Sequence, residues 1–346
     1  MYDTAILIGR FEPVHSGHLA LLTQALASAH RVIIIVGSAF QARTPKNPFT
    51  WKERAEMLLG SLIDAERARV DVVPIRDYYD EARWVRAVQE AVTARTQPGA
   101  RNGLVGHFKD ASSSYLSAFP GWELIPMARQ GDIDATMIRN AYFGATAKTI
   151  PIALAPFHDV LPKSTRTLLE QFATQPEYLA LQNEWRMLRT YRDAWASAPY
   201  PPVFVTVDTV LRCQNQILLI RRAHAPGQGL LALPGGFIEP RESIWQSCVR
   251  ELAEETHCDV PADQLKQALR AVHVFDHPDR SQRGRTITHA HYFDLGDAPL
   301  PNVRADDDAA QVLWMPVAQI GLNEERLFED HFQILCHFLK DAMQEI

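Results

Sequence analysis

Two short stretches of this sequence hold residues whose types and spacing could do chemistry. In GRFEPVHSGH, residues 9–18, His15 and His18 stand three apart with Gly17 between them. A small residue there lets the backbone approach a polyphosphate closely, while two imidazoles donate hydrogen bonds to charge that develops during phosphoryl-type transfer. The same pair would equally serve as helix caps on a surface loop, and spacing alone leaves both readings open. The second stretch is Gly236, Glu242, Arg250, Glu251, Glu254 and Glu255. A helix beginning after Pro240 would put the last three glutamates one turn apart on one face, where like charges destabilise unless a cation offsets them. Carboxylate oxygens of this kind suit a hard divalent ion, Mg2+ or Mn2+. Three glutamates alone also describe a solvated acidic face, but the Gly-Gly turn with Glu242 and Arg250 at fixed offsets favours the metal.

The elements that must carry these residues follow from periodicity. An apolar run at residues 4–9, a helical pattern at 17–29 and an apolar run at 32–36 form a β-α-β unit with buried parallel strands. Thr50 and Glu53 have capping-box spacing ahead of Met57, Leu58 and Leu59, and apolar runs at 70–75 and 104–106 alternate with further helical stretches. The first half therefore reads as an α/β, doubly wound, Rossmann-like domain, with the 9–18 string where the first strand ends and the first helix begins. That is where a parallel sheet opens its ligand crevice and a helix offers free N–H groups to phosphate. Residues 164–195 read as helical, and three prolines within 199–202 break the pattern. The expected organisation is a first domain at 1–185, a linker at 186–202 and a second domain at 203–346, with strands at 203–210 and 217–220, the helix after Pro240 and a last helix over 327–343. The acidic run at 306–308 reads as a solvated loop.

Composition bounds the classes. A chain of 346 residues, 47% hydrophobic and 22% charged, suits two globular domains, each with its own core. A formal net charge of -6 provides no basic face for nucleic acid, so nucleotides here are expected as small ligands. The four cysteines lack any CxxC pair and read as reduced thiols. No signal peptide and no apolar stretch of the ~18 residues a membrane span needs is evident, so a cytoplasmic address and no membrane partner are expected. A homo-oligomer stays open.

The 9–18 string resembles the GxFxPxHxGH signature of the nucleotidylyltransferase superfamily, and residues 133–139, IDATMIR, resemble its second signature, ISSTxxR. The resemblance implies in-line attack of a phosphate on the α-phosphorus of a nucleoside triphosphate, with His15, His18 and Arg139 catalytic and Gly9, Arg10, Phe11 and Thr136 binding substrate. Both serines of the second signature are replaced, by Asp134 and Ala135, and Asp134 would repel phosphate unless it points away or meets magnesium. KNPFT at 46–50 followed by Glu53 and Arg54, the stretch 77–84, and GHFKD at 106–110 resemble archaeal-like nicotinamide-mononucleotide adenylyltransferases. Lys46, Lys109 and Asp110 join the implied substrate set. Trp84 matches a tryptophan that stacks on the nicotinamide ring, although from spacing alone it is a core anchor.

The second constellation matches the Nudix box at every charged position, which implies an α/β/α sandwich. Glu251, Glu254 and Glu255 then hold metal, Glu254 and Arg250 act in catalysis, and the arginine orients a neighbouring glutamate. His257 replaces the glycine usual at the helix end, so an altered loop is expected there. Residues 283–289 and 328–332 resemble the Nudix half of bifunctional adenylyltransferase/ADP-ribose pyrophosphatases, with Arg283 and Arg285 meeting phosphate or adenine. The implied substrates are ATP, nicotinamide mononucleotide and ADP-ribose. Transfer to another phosphate acceptor, and a Nudix half that only senses ADP-ribose, are the alternatives.

Overall fold

The computed structural model describes residues 1–106, 118–127, 134–340 and 342, and the chain divides into two compact units, Met1–Gln182 and Asn183–Ile346. The division falls inside one helix, Pro176–Ala194, which runs through much of the stretch expected as a linker.

In the first unit, β1 (Tyr2–Gly9), β2 (Ala29–Val36), β3 (Val70–Pro74), β4 (Asn102–Gly106) and β5 (Glu123–Pro126) form a wholly parallel sheet in the order β3-β2-β1-β4-β5. Every crossover needs a connection long enough for a helix, and the sequence supplies α1 (Ser16–Ser28), α2 (Trp51–Leu59) with the short α3 (Asp64–Arg67), and α4 (Glu81–Thr93). The strand order reverses beside β1, so the loop after β1 opens at the switch point. Ile6, Ile33, Ile35 and Leu104 pack against Val88 and Val92 of α4, which is why the central strands read as continuous apolar runs. After the sheet come α5 (Ala135–Gly144), α6 (Ile150–Leu154), α7 (Lys163–Phe172) and α8 (Pro176–Ala194). The helical stretch expected over 164–195 is thus two helices, since Pro176 has no N–H to continue the first and suits the opening turn of the second.

The second unit is built on a mixed sheet. β6 (Val203–Cys213), β7 (Gln216–Arg222), β10 (Leu269–Phe275), β11 (Arg285–Asp294) and β12 (Ala309–Pro316) run in the order β10-β11-β6-β7-β12, with β8 (Leu231–Ala232) on β7 and β9 (Gly235–Phe237) on β6. One face packs against α9 (Ile244–Thr256) and α10 (Ala262–Ala268) through Val207, Leu211, Leu218, Cys248, Leu252 and Leu265. The other packs against α11 (His331–Phe338) through Val210, Ile217, Leu219, Ile334 and Leu335. This is the expected α/β/α sandwich. The last helix is shorter than the expected 327–343: Leu327 bridges Leu231 and the Phe328 N–H donates to the Leu231 carbonyl at 2.8 Å, so the sheet takes residues that periodicity had assigned to the helix. Met343 lies outside the described residues. All four cysteines are free thiols.

Candidate active sites

The loop after β1 holds its histidines by capping the helix that follows. His15 is the N-cap of α1, and its Nδ1 accepts the Gly17 N–H at 3.2 Å while Nδ1 of His18 accepts the His15 N–H at 3.3 Å. The two readings that spacing left open therefore coincide, because an Nδ1 that accepts leaves the ring proton of the neutral imidazole on Nε2, a donor not used by the cap. Burial, with His15 beside it, pushes His18 well below the ordinary histidine range and keeps it neutral. The two rings lie 3.9 Å apart. Phe11, 2% exposed and in the left-handed region with φ 59, turns its ring back beneath the loop and meets His18 edge-on at 5.0 Å. A Cβ on Gly9 would stand 2.9 Å from that ring, so only glycine fits there. Phe11, expected to bind substrate, is buried with its ring packed under this loop against His18.

Arg139 reaches the same loop from α5: its Nη1 donates to the Glu12 carbonyl at 2.5 Å and its Nη2 to Thr136 Oγ1 at 3.1 Å. Burial lowers its proton affinity against the pull of Glu12, and the like charge of Arg10 lowers it further, so two guanidiniums share the crevice. Asp134 is the N-cap of α5 and accepts the Thr136 N–H at 2.7 Å. It does the capping work of a serine, which accounts for the substitution. Arg10 is exposed and Lys46 half-buried on the segment leading to α2. Trp84 is half-buried, packed on the strand face and edge-on to Phe119 at 5.8 Å, an anchor that keeps some surface accessible. Lys109, Asp110 and Ile133 lie outside the described residues.

In the second unit, Ser243 caps α9 in a capping box with Gln246, and the helix presents its glutamates to the turn before β9. Glu255, 3% exposed, accepts the Gly235 N–H at 2.9 Å. A Cβ on Gly236 would stand 2.6 Å from the Glu251 carboxylate, so the strand passes this close only as glycine. Arg250 ties the rest: its Nε donates to Glu242 at 2.9 Å, and its Nη1 to Glu251 at 2.9 Å and Glu254 at 2.8 Å. Burial pushes Glu255 up to about 8, with Glu251 and Asp308 adding to the rise and the Gly235 N–H and Arg222 opposing it. Glu251 is raised too, by burial and by Glu254 and Asp307, against Arg250. Among the described residues no three His, Cys, Asp or Glu side chains form a ready metal cage. The donor chemistry nonetheless fits a hard divalent cation: the groups are all carboxylates, and burial with neighbouring negative charge raises Glu251 and Glu255.

Sequence reasoning missed Asp307, Asp308 and Arg222, whose charges bear on Glu251 and Glu255. The acidic triplet was the available signal. Its loop is anchored to the helix end, where the Arg304 N–H donates to the Thr256 carbonyl and the Asp306 N–H to that of Glu255. His257 keeps the left-handed turn, φ 43, that its missing glycine would adopt, and its Nε2 lies 2.7 Å from Asp306. At His257 the helix end thus keeps the left-handed cap a glycine would supply, at a strain of about 1 kcal/mol. Arg283 lies 5.0 Å over the Phe237 ring and bonds Ser281, while Arg285 donates to the Asp276 carbonyl.

The Cytidylyltransferase-like family matches residues 6–141 and the NUDIX domain residues 201–338, so the chain joins a nucleotidylyltransferase fold to a Nudix fold. It is 36% identical over 186 residues to a nicotinamide/nicotinic acid mononucleotide adenylyltransferase of Acinetobacter baylyi, covering 54% of this chain and 94% of that protein. Over 132 residues it is 33% identical to an ADP-ribose pyrophosphatase of Methanocaldococcus jannaschii, covering 37% and 73%. The crystal structure of a bifunctional NMN adenylyltransferase/ADP ribose pyrophosphatase from Francisella tularensis, 35% identical, matches 99% of this chain and 100% of its own with a TM-score of 0.89, and the same protein has been solved with AMP and Mn ion. The chain belongs to the family of bifunctional NMN adenylyltransferase/ADP ribose pyrophosphatases.

Proposed function

We propose that the first unit transfers the adenylyl group of ATP to nicotinamide mononucleotide, giving NAD and pyrophosphate, and that the second hydrolyses ADP-ribose to AMP and ribose 5-phosphate. The observation that carries the reading is the placement of His15 and His18 at the switch point of the parallel sheet, each with Nδ1 engaged by backbone and its ring proton left on Nε2. Those donors, with Arg10 and Arg139, suit a triphosphate whose α-phosphorus is under in-line attack, a reaction in which positioning and charge neutralisation do most of the work. Lys46 and Thr136 complete the phosphate side, Trp84 offers its face to the pyridinium, and Lys109 and Asp110 belong to the same set by resemblance.

In the second unit Glu251, Glu254 and Glu255 would hold Mg2+ or Mn2+. When bound, the ion neutralises the substrate pyrophosphate and lowers the pKa of water. The chain's own residues do the rest. Arg250 orients Glu251 and Glu254, the Gly235 N–H fixes Glu255, and Arg283 and Arg285 are assigned by resemblance to an anionic or aromatic part of the substrate. The transferase is assigned to 1–185 and the hydrolase to 203–346.

The purified protein is incubated with nicotinamide mononucleotide, ATP and magnesium, and separately with ADP-ribose, NADH and diadenosine compounds with magnesium or manganese. NAD in the first reaction and AMP from ADP-ribose in the second are expected. Activity confined to another phosphate acceptor, or ADP-ribose bound but not cleaved, would sink the corresponding half.

A further inference from the structure

Arg54, which follows the capping glutamate of α2, is 1% exposed, yet it belongs to none of the roles above. Its guanidinium is spent on backbone from three separate segments. Nη1 donates to the carbonyls of Arg10 and Gly37, both at 2.8 Å, Nη2 to that of Ser38 at 3.1 Å, and Nε to that of Thr50 at 3.3 Å. Nε also lies 3.2 Å from Glu12 Oε1, and Glu12 Oε2 accepts the Phe49 N–H at 3.2 Å. The signature loop, the segment after β2 and the start of α2 therefore meet on one side chain.

We infer that Arg54 is a positioning residue of the adenylyl-transfer site, fastening the loop that carries His15 and His18 to the segment after β2 and to α2, with Glu12 as its anchor. The inference rests on the transferase reading above.

The physical argument is one of donor geometry. A planar guanidinium presents five N–H groups in a fixed fork, so it can satisfy several carbonyls pointing in from different chains at once, whereas an ammonium is a compact charge on a flexible stem. The strain of the loop needs such a clamp: Phe11 at φ 59 and Ser38 at φ 49 both hold left-handed backbone without being glycine. Each adjoins a residue, Arg10 or Gly37, whose carbonyl Arg54 holds, and the Gly37 N–H donates to the Gly9 carbonyl at 3.0 Å. Arg139 grips the same loop from the other side through the Glu12 carbonyl. The pair sits out of water: burial pushes the Glu12 carboxyl up to about 8 against the pull of Arg54, the Phe49 N–H, Arg139 and Arg10, and burial lowers the proton affinity of Arg54.

Arg54→Lys keeps the charge and removes the fork. In the full chain, assayed well below melting, kcat for NAD synthesis is expected to fall fivefold or more, while KM for nicotinamide mononucleotide changes less than threefold because Arg54 holds the backbone of residues 10, 37, 38 and 50. ADP-ribose hydrolysis by the same sample stays at the wild-type rate. Amide hydrogen exchange in residues 9–18 and 37–41 rises, a readout independent of turnover. A merely structural arginine would lower the melting temperature and leave kcat per folded molecule within fivefold of wild type, and that result overturns the inference. Should Arg54→Lys prevent the first unit from folding, Glu12→Gln decides. It removes the carboxylate oxygen 3.2 Å from Arg54 Nε, so kcat of the folded variant is expected at least fivefold below wild type with ADP-ribose hydrolysis unchanged; a kcat equal to wild type overturns the inference. A wild-type protein that makes no NAD overturns the transferase reading instead, so the two failures are distinct.

Discussion

The two candidate sites, both proposed to meet a chain of phosphates, have opposite electrostatics. The crevice after β1 carries the imidazoles of His15 and His18, the latter kept neutral by burial, beside the guanidiniums of Arg10 and Arg139, so its charge already complements an anion. The face of α9 gathers Glu251, Glu254 and Glu255 near Asp307 and Asp308, the same sign as its substrate. The first site can be built by backbone capping, because donors need only be aimed. In the second, Arg250 pairs with Glu242, Glu251 and Glu254 and offsets part of their mutual repulsion.

Removing a charge from the acidic face should give the largest effect. Glu254→Gln is expected to lower ADP-ribose hydrolysis about a thousandfold, the consequence of losing several kcal/mol of metal-based stabilisation. The melting temperature without metal should hardly move, since the Glu254 contact to Arg250 is 46% exposed at the carboxylate and Arg250 retains Glu242 and Glu251. Melting with and without manganese, alongside AMP release, checks both. A variant that melts lower without metal yet cleaves normally returns Glu254 to a structural ion pair.

On the other side of the comparison, His18→Ala is expected to slow NAD synthesis about a hundredfold, the typical cost of one preorganised donor, and to leave hydrolysis unchanged. Equal loss of both activities would show that the two sites are not independent. Trp84→Ala should raise KM for nicotinamide mononucleotide about tenfold and that for ATP much less, for a cation–π contact of roughly 1–2 kcal/mol. An unchanged mononucleotide constant in a folded variant leaves Trp84 as packing against Phe119.

The smallest effect is on stability against pH. Glu12 takes its proton at about 8 in the folded chain rather than at 4.5, so between those values the unfolded chain has released a proton that the folded chain retains. Its contribution is full below the lower value, falls as pH rises and is lost above about 8. The melting temperature of wild type relative to Glu12→Gln should therefore decline from about pH 5 to pH 8 and then level. A difference that grows with pH would show the carboxyl ionised throughout.

Much of the fold, and the placement of both candidate sites on it, was legible because the signals are local. Capping at Thr50, apolar runs at β1 and β2, and the one-turn spacing of Glu251, Glu254 and Glu255 depend on neighbours a few residues away. The last helix was overestimated because the pull of Leu231 on residues 327 and 328 is not visible in a periodic pattern. Asp134 and His257 looked like defects in their motifs, and each proves to be satisfied, one as an N-cap and the other by Asp306.

Residue types and their spacing determined by themselves that this chain has two α/β units, that one carries paired imidazoles at a strand end, and that the other carries three carboxylates on a helix face. Only the tertiary structure decided which ring nitrogen of each histidine is engaged, that Phe11 packs under its loop, that Arg250 ties three glutamates, and that Arg54 collects carbonyls from residues 10, 37, 38 and 50. The reason is physical: periodicity encodes which face of an element is buried, whereas hydrogen-bond partners and proton affinities depend on groups that folding brings together from far along the chain.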